Sequence, residues 1–291
     1  MMSDYKPSAG EIKELREKTL AGFQDCKNAL VETGGNLQDA IDLIRKKGLS
    51  VAAKKAHRDA SEGLISAVIG DDGKSGAMIE LNCESDFVAK TEQFQELAKS
   101  LAGFVLLKCD NGEADGTSLY DTDYADGKTL KTMIDELIGK IGENMGLKKV
   151  VKYSLNGAGV VQSYIHPPGK VGVLIGIGGD EGADTEKCKE LAHELALQVA
   201  FSDPSYISPE DIPEAILAKE REIAEAKARE QGKPEHIVPK IAEGMIRKYY
   251  EDECLLEQAF AKDNNMSVKD VVSQSGIPGG KVTAFYRFAL K

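Results

Sequence analysis

The 291-residue chain has no run of about 18 apolar residues, the length a membrane-spanning helix needs. Nor does it have a basic excess. Its net charge is -11, and binding to nucleic acid through counterion release needs a basic surface, so no direct nucleic-acid partner is expected. The five cysteines (Cys26, Cys83, Cys109, Cys188 and Cys254) are odd in number, and none forms a CxxC pair. That removes zinc ribbons and thioredoxin chemistry and leaves reduced, mostly buried thiols, with Cys188 and Cys254 open as crosslink sites. The opening "MMSDYKPSAGEIKELREK" has no apolar leader and is too acidic for a transit peptide. A cytoplasmic chain, or a mature organellar one, is expected. With 42% apolar and 29% charged residues, what is present reads as globular.

Catalytic signatures are missing too. "GIGGDEG", Gly176 to Gly182, follows a strand pattern and precedes a helical one, but Glu181 stands where a dinucleotide fingerprint needs glycine. Its acidic neighbours would repel a pyrophosphate. "GDDGKS" ends like a P-loop but has Val68 at the position of the first glycine. "HELAL" lacks the second histidine of a zinc-protease helix, and His57, His166 and His236 stand alone. No nucleophile motif appears. No catalytic residue, metal site or cofactor is expected, although a nucleotide-dependent enzyme using residues 176–182 and a protein adaptor stay open as alternatives.

The pattern along the chain is more informative. Ile12, Leu15 and Thr19, then Phe23, Cys26, Leu30 and Val31, then Leu37, Ala40, Ile41 and Ile44 predict three helices. Asn36 caps the third and Gly48 closes it. The basic stretch Arg45 to Arg58 holds six Lys/Arg and no acid, and reads either as a solvated helix end and linker or as a contact for an acidic face. An internal repeat follows. "GLISAVIGDDGKSGAMIELNCESD" from Gly63 and "GVVQSYIHPPGKVGVLIGIGGDEG" from Gly159 align without gaps. Each reads as strand, Gly-Lys turn, strand, then helix. Both tails repeat a helix followed by a strand, at 147–155 and 282–290. An α+β fold follows, with small antiparallel sheets in two related halves. Ser208-Pro209-Glu210-Asp211 marks a helix start, and Ile237, Ile241, Met245 and Tyr249 mark a second helix after Gly232. These predict an inserted helical hairpin, either a solvated decoration or a contact with another copy of itself. The expected divisions are 1–55, 56–157, 158–202 with 251–291, and the hairpin 203–250.

"NCESDFVAK", Asn82 to Lys90, puts Phe87 at a strand-to-helix junction. Its repeat counterpart is Ala183. The ring is either a plug beneath a cap made by Asp86 or a tool for another molecule.

This stretch resembles the TDFV signature of the elongation factor Ts family, with Ser85 where threonine is usual. "IKELREKTLAGFQDCKNALVETGGNLQDAIDLIRKKG", "KVGVLI", "FSDPSYISPEDI" and "LLEQAFAKD" are similar to its other motifs, in the same order. The resemblance implies a guanine-nucleotide exchange factor for elongation factor Tu, with no covalent chemistry and no cofactor. It implies a ubiquitin-associated-like N-terminal domain and a hairpin that serves dimerisation in some members. Asp86, Phe87 and Val88 would enter the partner near its magnesium and nucleotide. Arg16, Phe23, Gln24 and Lys27 would meet the partner's GTPase domain; His166, Phe260, Ala261 and Lys262 would meet its third domain. Ala259 departs from the usual proline, and Phe23-Gln24 from more aliphatic residues. Residues 109–128 match least and read as an acidic loop, and the extra C-terminal helix of some members is absent.

Overall fold

The computed structural model describes residues 5–19, 21–125 and 127–290; residues 1–4 of the opening segment lie outside them. Helices α1 (Ala9–Thr19), α2 (Phe23–Glu32) and α3 (Leu37–Lys55) pack around Ile12, Leu15, Cys26, Ala29, Leu30 and Ala40. Phe23, placed by spacing on the apolar stripe of α2, is 54% exposed, and Ala29 fills the core instead. The Asn36 side chain accepts from the amides of Gln38 and Asp39, the N-cap expected of it.

Contrary to the sequence reading, α3 does not stop at Gly48. It crosses α6, introduced below, where a Cβ on Gly139 would lie 2.4 Å from the Gly48 Cα. Glycine here serves close approach, not termination. The basic stretch is a largely exposed helix end, and four of its six cations are tied back to the fold. Lys47 pairs with Glu32 at 2.7 Å, Arg45 with Glu136 at 2.6 Å, and Arg58 with Glu84 at 3.3 Å, while Lys55 donates to the Gly142 carbonyl.

The first hairpin is β1 (Glu62–Ile69) with β2 (Ser75–Cys83), followed by the one-turn helix α4 (Asp86–Ala89) and α5 (Glu92–Lys108). The segment expected as an acidic loop carries β3 (Gly112–Asp115), which pairs with β6, and a small ribbon of β4 (Asp123–Ala125) with β5 (Lys128–Thr129). Then come α6 (Leu130–Ile141) and β6 (Met145–Ser154), giving an antiparallel sheet in the order β1-β2-β6-β3. Phe94, Leu101, Ile134 and Ile138 of α5 and α6 pack with Ile79, Leu81 and Leu147 of this sheet.

The second half repeats the plan with β7 (Ala158–His166), β8 (Val171–Gly179) and α7 (Thr185–Ser202). Next stands the hairpin of α8 (Glu214–Glu230) and α9 (Val238–Glu253). Ser208 does not start α8: its N–H and hydroxyl both donate to Asp211 in a 3-10 turn, and α8 begins after Pro213. The buried seam of α9 is Val238, Ala242 and Ile246, one residue beyond the stripe read from sequence, against Ala224 and Ala228 of α8. Strands β9 (Ala259–Phe260) and β10 (Asp263–Ser267), helix α10 (Val268–Gln274) and β11 (Lys281–Ala289) complete the chain, and the second sheet runs β11-β8-β7. The fold is α+β.

The halves interlock symmetrically. The Gly169 carbonyl accepts from the Ile65 amide at 2.8 Å, and the Gly73 carbonyl from the Val161 amide at 2.9 Å. Within each half, the Lys170 and Lys74 carbonyls accept from Leu290 and Leu155 at 2.9 and 2.8 Å. Ile65, Met78, Val151, Val161, Leu174 and Phe288 form a shared core between the sheets. Fully burying such a side chain contributes about 1.5–3 kcal/mol. Gly63 and Gly159, shared by the repeats, sit at φ 145° and 130°, and a Cβ on either would lie within 2.1 Å of a neighbouring strand's carbonyl.

The crossing of α3 and α6 makes an asymmetric prediction. Gly139→Ala should destabilise the chain by about 1–3 kcal/mol through overpacking. Gly48→Ala should be neutral or slightly stabilising, because its Cβ would meet nothing nearer than 3.7 Å. Urea midpoints of the two variants check this.

Candidate partner-binding site

Strand β2 ends at Cys83 and the chain turns at once into α4. Ser85 is extended, at φ -125° and ψ 151°, and its hydroxyl oxygen accepts from the Val88 amide at 3.3 Å. Thr91 caps α5 in the same way, accepting from the Phe94 amide at 3.3 Å. Two capped helices thus abut, and the short one is oriented by Val88 and Ala89, which pack on the first-half core. In a helix, Phe87 lies about 200° around from Ala89, so it points outward. It is 80% exposed. The plug reading of Phe87 is thereby excluded.

A lattice of polar bonds fixes this turn. Ser85 donates twice to Glu143, from its N–H at 2.9 Å and its hydroxyl at 2.6 Å. Glu84 returns the contact by accepting from the Asn144 amide at 2.6 Å, and Asn144 Nδ2 donates to the Arg58 carbonyl at 2.7 Å. The Asn144 amide, then Arg58, hold the Glu84 carboxyl below its usual range. Burial and the Glu143 charge push the Cys83 thiol up to about 11, so it stays neutral and lies 3.2 Å from the Ser85 carbonyl. Asp86, half-buried, pairs with Lys90, whose hydrogen bond holds its carboxyl below the usual range.

The other expected contact residues fall into two groups. Arg16, Phe23, Gln24 and Lys27 are exposed on α1 and α2. His166, exposed at the end of β7, bonds the Tyr164 hydroxyl at 2.8 Å, and the Tyr164 ring meets His193 of α7 edge-on at 6.2 Å. Lys262 pairs with Glu194, the next residue of α7, at 2.6 Å, while Ala261 donates to the buried Gln198 at 2.8 Å and Phe260 is half-buried. The second group therefore gathers along one stretch of α7. Sequence reasoning missed Tyr164, Gln198 and Glu143, whose partners are distant in sequence or carry no motif. It also missed Leu107 and Phe201, as exposed as Phe87 in the last turns of α5 and α7.

At the "GIGGDEG" turn, Asp184 accepts from the Glu186 and Lys187 amides and so already fills the helix start a phosphate would need. Among the described residues no group of three or more His, Cys, Asp or Glu could hold a metal ion. All five cysteines are free, and Cys188 and Cys254 are buried. No helix among the described residues is long and apolar enough to cross a membrane.

The family model for elongation factor Ts matches residues 84–291, starting one residue before the SDFV turn. The chain belongs to the elongation factor Ts family. Elongation factor Ts of Aquifex aeolicus is 42% identical over 290 residues, covering 97% of each chain. That of Halothermothrix orenii is 41% identical over 284 residues, covering 97% of this chain and 92% of its own. That of Clostridium acetobutylicum is 42% identical over 268 residues, covering 92% and 86%. Membership makes this a translation elongation factor, and the likeness of elongation factor Ts proteins to it spans both halves and the N-terminal helices.

Phe87→Ala should shift the unfolding free energy by less than about 0.5 kcal/mol, as an exposed position does. Phe94→Ala, at a fully buried ring on α5, should cost about 3–5 kcal/mol. Denaturant titration of both variants makes the comparison.

Proposed function

We propose that this protein binds elongation factor Tu carrying GDP and speeds GDP release, so that GTP refills the site. The carrying observation is the exposed Phe87 ring on a turn anchored by two carboxylates. A nucleotide held by a phosphate loop and magnesium depends on backbone N–H and metal geometry. A phenyl ring driven between the partner's packed helices would displace that geometry. Burying the ring contributes about 1.5–3 kcal/mol, comparable to a coupling free energy of about 1–3 kcal/mol. Val88 would seat the turn beneath it. Asp86 would act on residues or waters around the metal, giving up Lys90 to do so. An exposed ion pair of that kind is worth about 1 kcal/mol or less, so the exchange is cheap.

Linkage makes the effect reciprocal: the exchanger weakens nucleotide binding by the same factor as nucleotide weakens the exchanger's. No bond is made or broken, and the nucleotide site belongs to the partner. Arg16, Phe23, Gln24 and Lys27 on one side, and His166, Phe260, Ala261 and Lys262 on the other, supply contacts remote from the ring. On this reading the protein works in the cytoplasm. The hairpin's exposed Ile216 and Ile223 would meet a second copy. Sedimentation tests that point: Ile216→Glu with Ile223→Glu should convert a dimer to a monomer, and a parent chain already monomeric rejects it.

Stopped-flow release of fluorescent GDP from elongation factor Tu is the deciding experiment. Folded Phe87→Ala should lose about tenfold or more of the stimulated rate, corresponding to roughly 1.4 kcal/mol or more. Full stimulation by that variant would refute the wedge.

A further inference from the structure

Phe87 can act on a partner only if its backbone resists being pushed back, and the duplicated framework shows what provides that resistance. The position matching Ser85 in the second half is Glu181, and the positions before β11 that match Glu143 and Asn144 are Pro278 and Gly279. There the strand-to-helix junction meets the loop before β11 through backbone: the Asp180 amide donates to the Pro278 carbonyl at 2.8 Å, and within the turn the Ala183 amide donates to the Asp180 carbonyl at 3.0 Å. Ala183 is tucked against the second-half core. In the first half, the equivalent loop instead offers a carboxylate with both oxygens engaged by Ser85. A 2.6 Å O–H···O contact is in the range of charge-assisted bonds, the stronger class. Ser85 relays this hold, since the oxygen that donates to Glu143 also accepts the Val88 amide and so fixes the start of α4.

We infer that Glu143 is a positioning residue that locks the Ser85 turn and thereby presents Phe87. The inference rests on the exchange reading of the tip. Glu143 sits in turn on a braced loop: Gly142, at φ 82°, ends α6, and its carbonyl is held by Lys55 from α3. The carboxylate is therefore anchored from behind, and pressure on the ring is passed through Ser85 into the α3–α6 packing. The halves differ in this device where they differ in the ring, which a purely structural carboxylate would not require.

The test uses the full chain with Glu143→Gln, Glu143→Ala, Ser85→Ala and the Ser85/Glu143 double alanine variant. In the free protein, Glu143→Ala should speed hydrogen exchange at the Ser85 and Val88 amides by about tenfold or more, with the protection of the central strands retained. In GDP release from elongation factor Tu, its saturating rate should fall about fivefold or more. The half-saturating concentration should move less than about twofold, because the remote contacts remain. Glu143→Gln keeps an acceptor oxygen and should recover most of both losses. Adding Glu143→Ala to Ser85→Ala should cost less than Glu143→Ala costs in the parent chain, since the hydroxyl bond is already gone and only the Ser85 N–H bond is left to lose.

Unchanged protection of the Ser85 amide in folded Glu143→Ala would overturn the lock. Faster amide exchange with an undiminished saturating rate would overturn its role in presenting the ring. If Glu143→Ala does not fold, the Gln variant's amide protection decides. If Phe87→Ala itself leaves release unchanged, the exchange reading fails first, and the lock is judged on the amides alone.

Discussion

Each half of the core is held by a turn of the other, and the remaining structure depends on that exchange. The Gly73 carbonyl accepts from Val161 in the second half and the Gly169 carbonyl from Ile65 in the first, while the Lys74 and Lys170 carbonyls hold Leu155 and Leu290 of their own halves. A hairpin turn is normally the loosest part of a hairpin. Here both turns are satisfied by backbone donors across a shared apolar layer, so neither half can slide without breaking bonds at both ends. The turns reach this state by different chemistry. Asp72 organises the first by accepting from the Lys74 and Ser75 amides, while the second runs through Pro167-Pro168 with the Gly169 amide donating to His166. The conserved element within the molecule is the docking of carbonyls, which the Gly-Lys pair provides with its backbone. The ammonium groups then add local ties, Lys74 to the Gly157 carbonyl and Lys170 to Glu62.

On so rigid a frame, small local differences decide function. One half ends its hairpin with an alanine turned inward; the other ends it with a phenyl ring turned outward and a carboxylate behind it. Leaving a phenyl ring in water forgoes the free energy its burial would give, and only an external surface can recover it. The flanking bonds of Ser85, Glu84 and Asn144 hold the turn that carries the ring. Those bonds tie the tip to the α6–β6 loop, and through Arg58 and Lys55 to the end of α3.

Much of this was legible from sequence because it is local. The repeat declared itself through Gly63, Gly73, Lys74 and their partners, since strand, turn and strand are adjacent in the chain. The helices of the N-terminal unit followed from spacing and from Asn36. What could not be read depends on residues far apart. Gly48 resembles a helix terminator, and only Gly139, brought against it by folding, reveals a crossing point. The basic stretch contains no acid of its own because its partners, Glu84 and Glu136, come from other elements. Strand β3 hides in an acidic segment because it sits at a sheet edge, paired on one side only, where apolar alternation is not demanded. In the hairpin, half-exposed Ile237, Ile241 and Met245 outweighed the smaller Val238 and Ala242 that are buried. Phe87 was visible as an anomaly, but its direction was set by Val88 and Ala89 packing underneath. Glu143, far from Ser85 in the chain, carried no signal at all.

The proposed activity also explains why the N-terminal unit is fastened rather than tethered. A single ring recovers too little free energy to bind and reorganise a partner alone, so contacts at α1–α2 and along α7 must contribute. Contacts joined by a flexible linker act at an effective concentration diluted by every orientation the linker permits. The α3–α6 crossing removes that freedom. Gly48 and Gly139 bring the helix backbones close, Arg45 and Lys128 both pair with Glu136, and α3 continues without a break from the N-terminal core to the brace behind the tip. On the proposed reading, binding at the N-terminal face would deliver Phe87 at a fixed distance and angle. Strain created where the ring entered would then not be relieved by rotation of the exchanger, and would be left in the partner's nucleotide site.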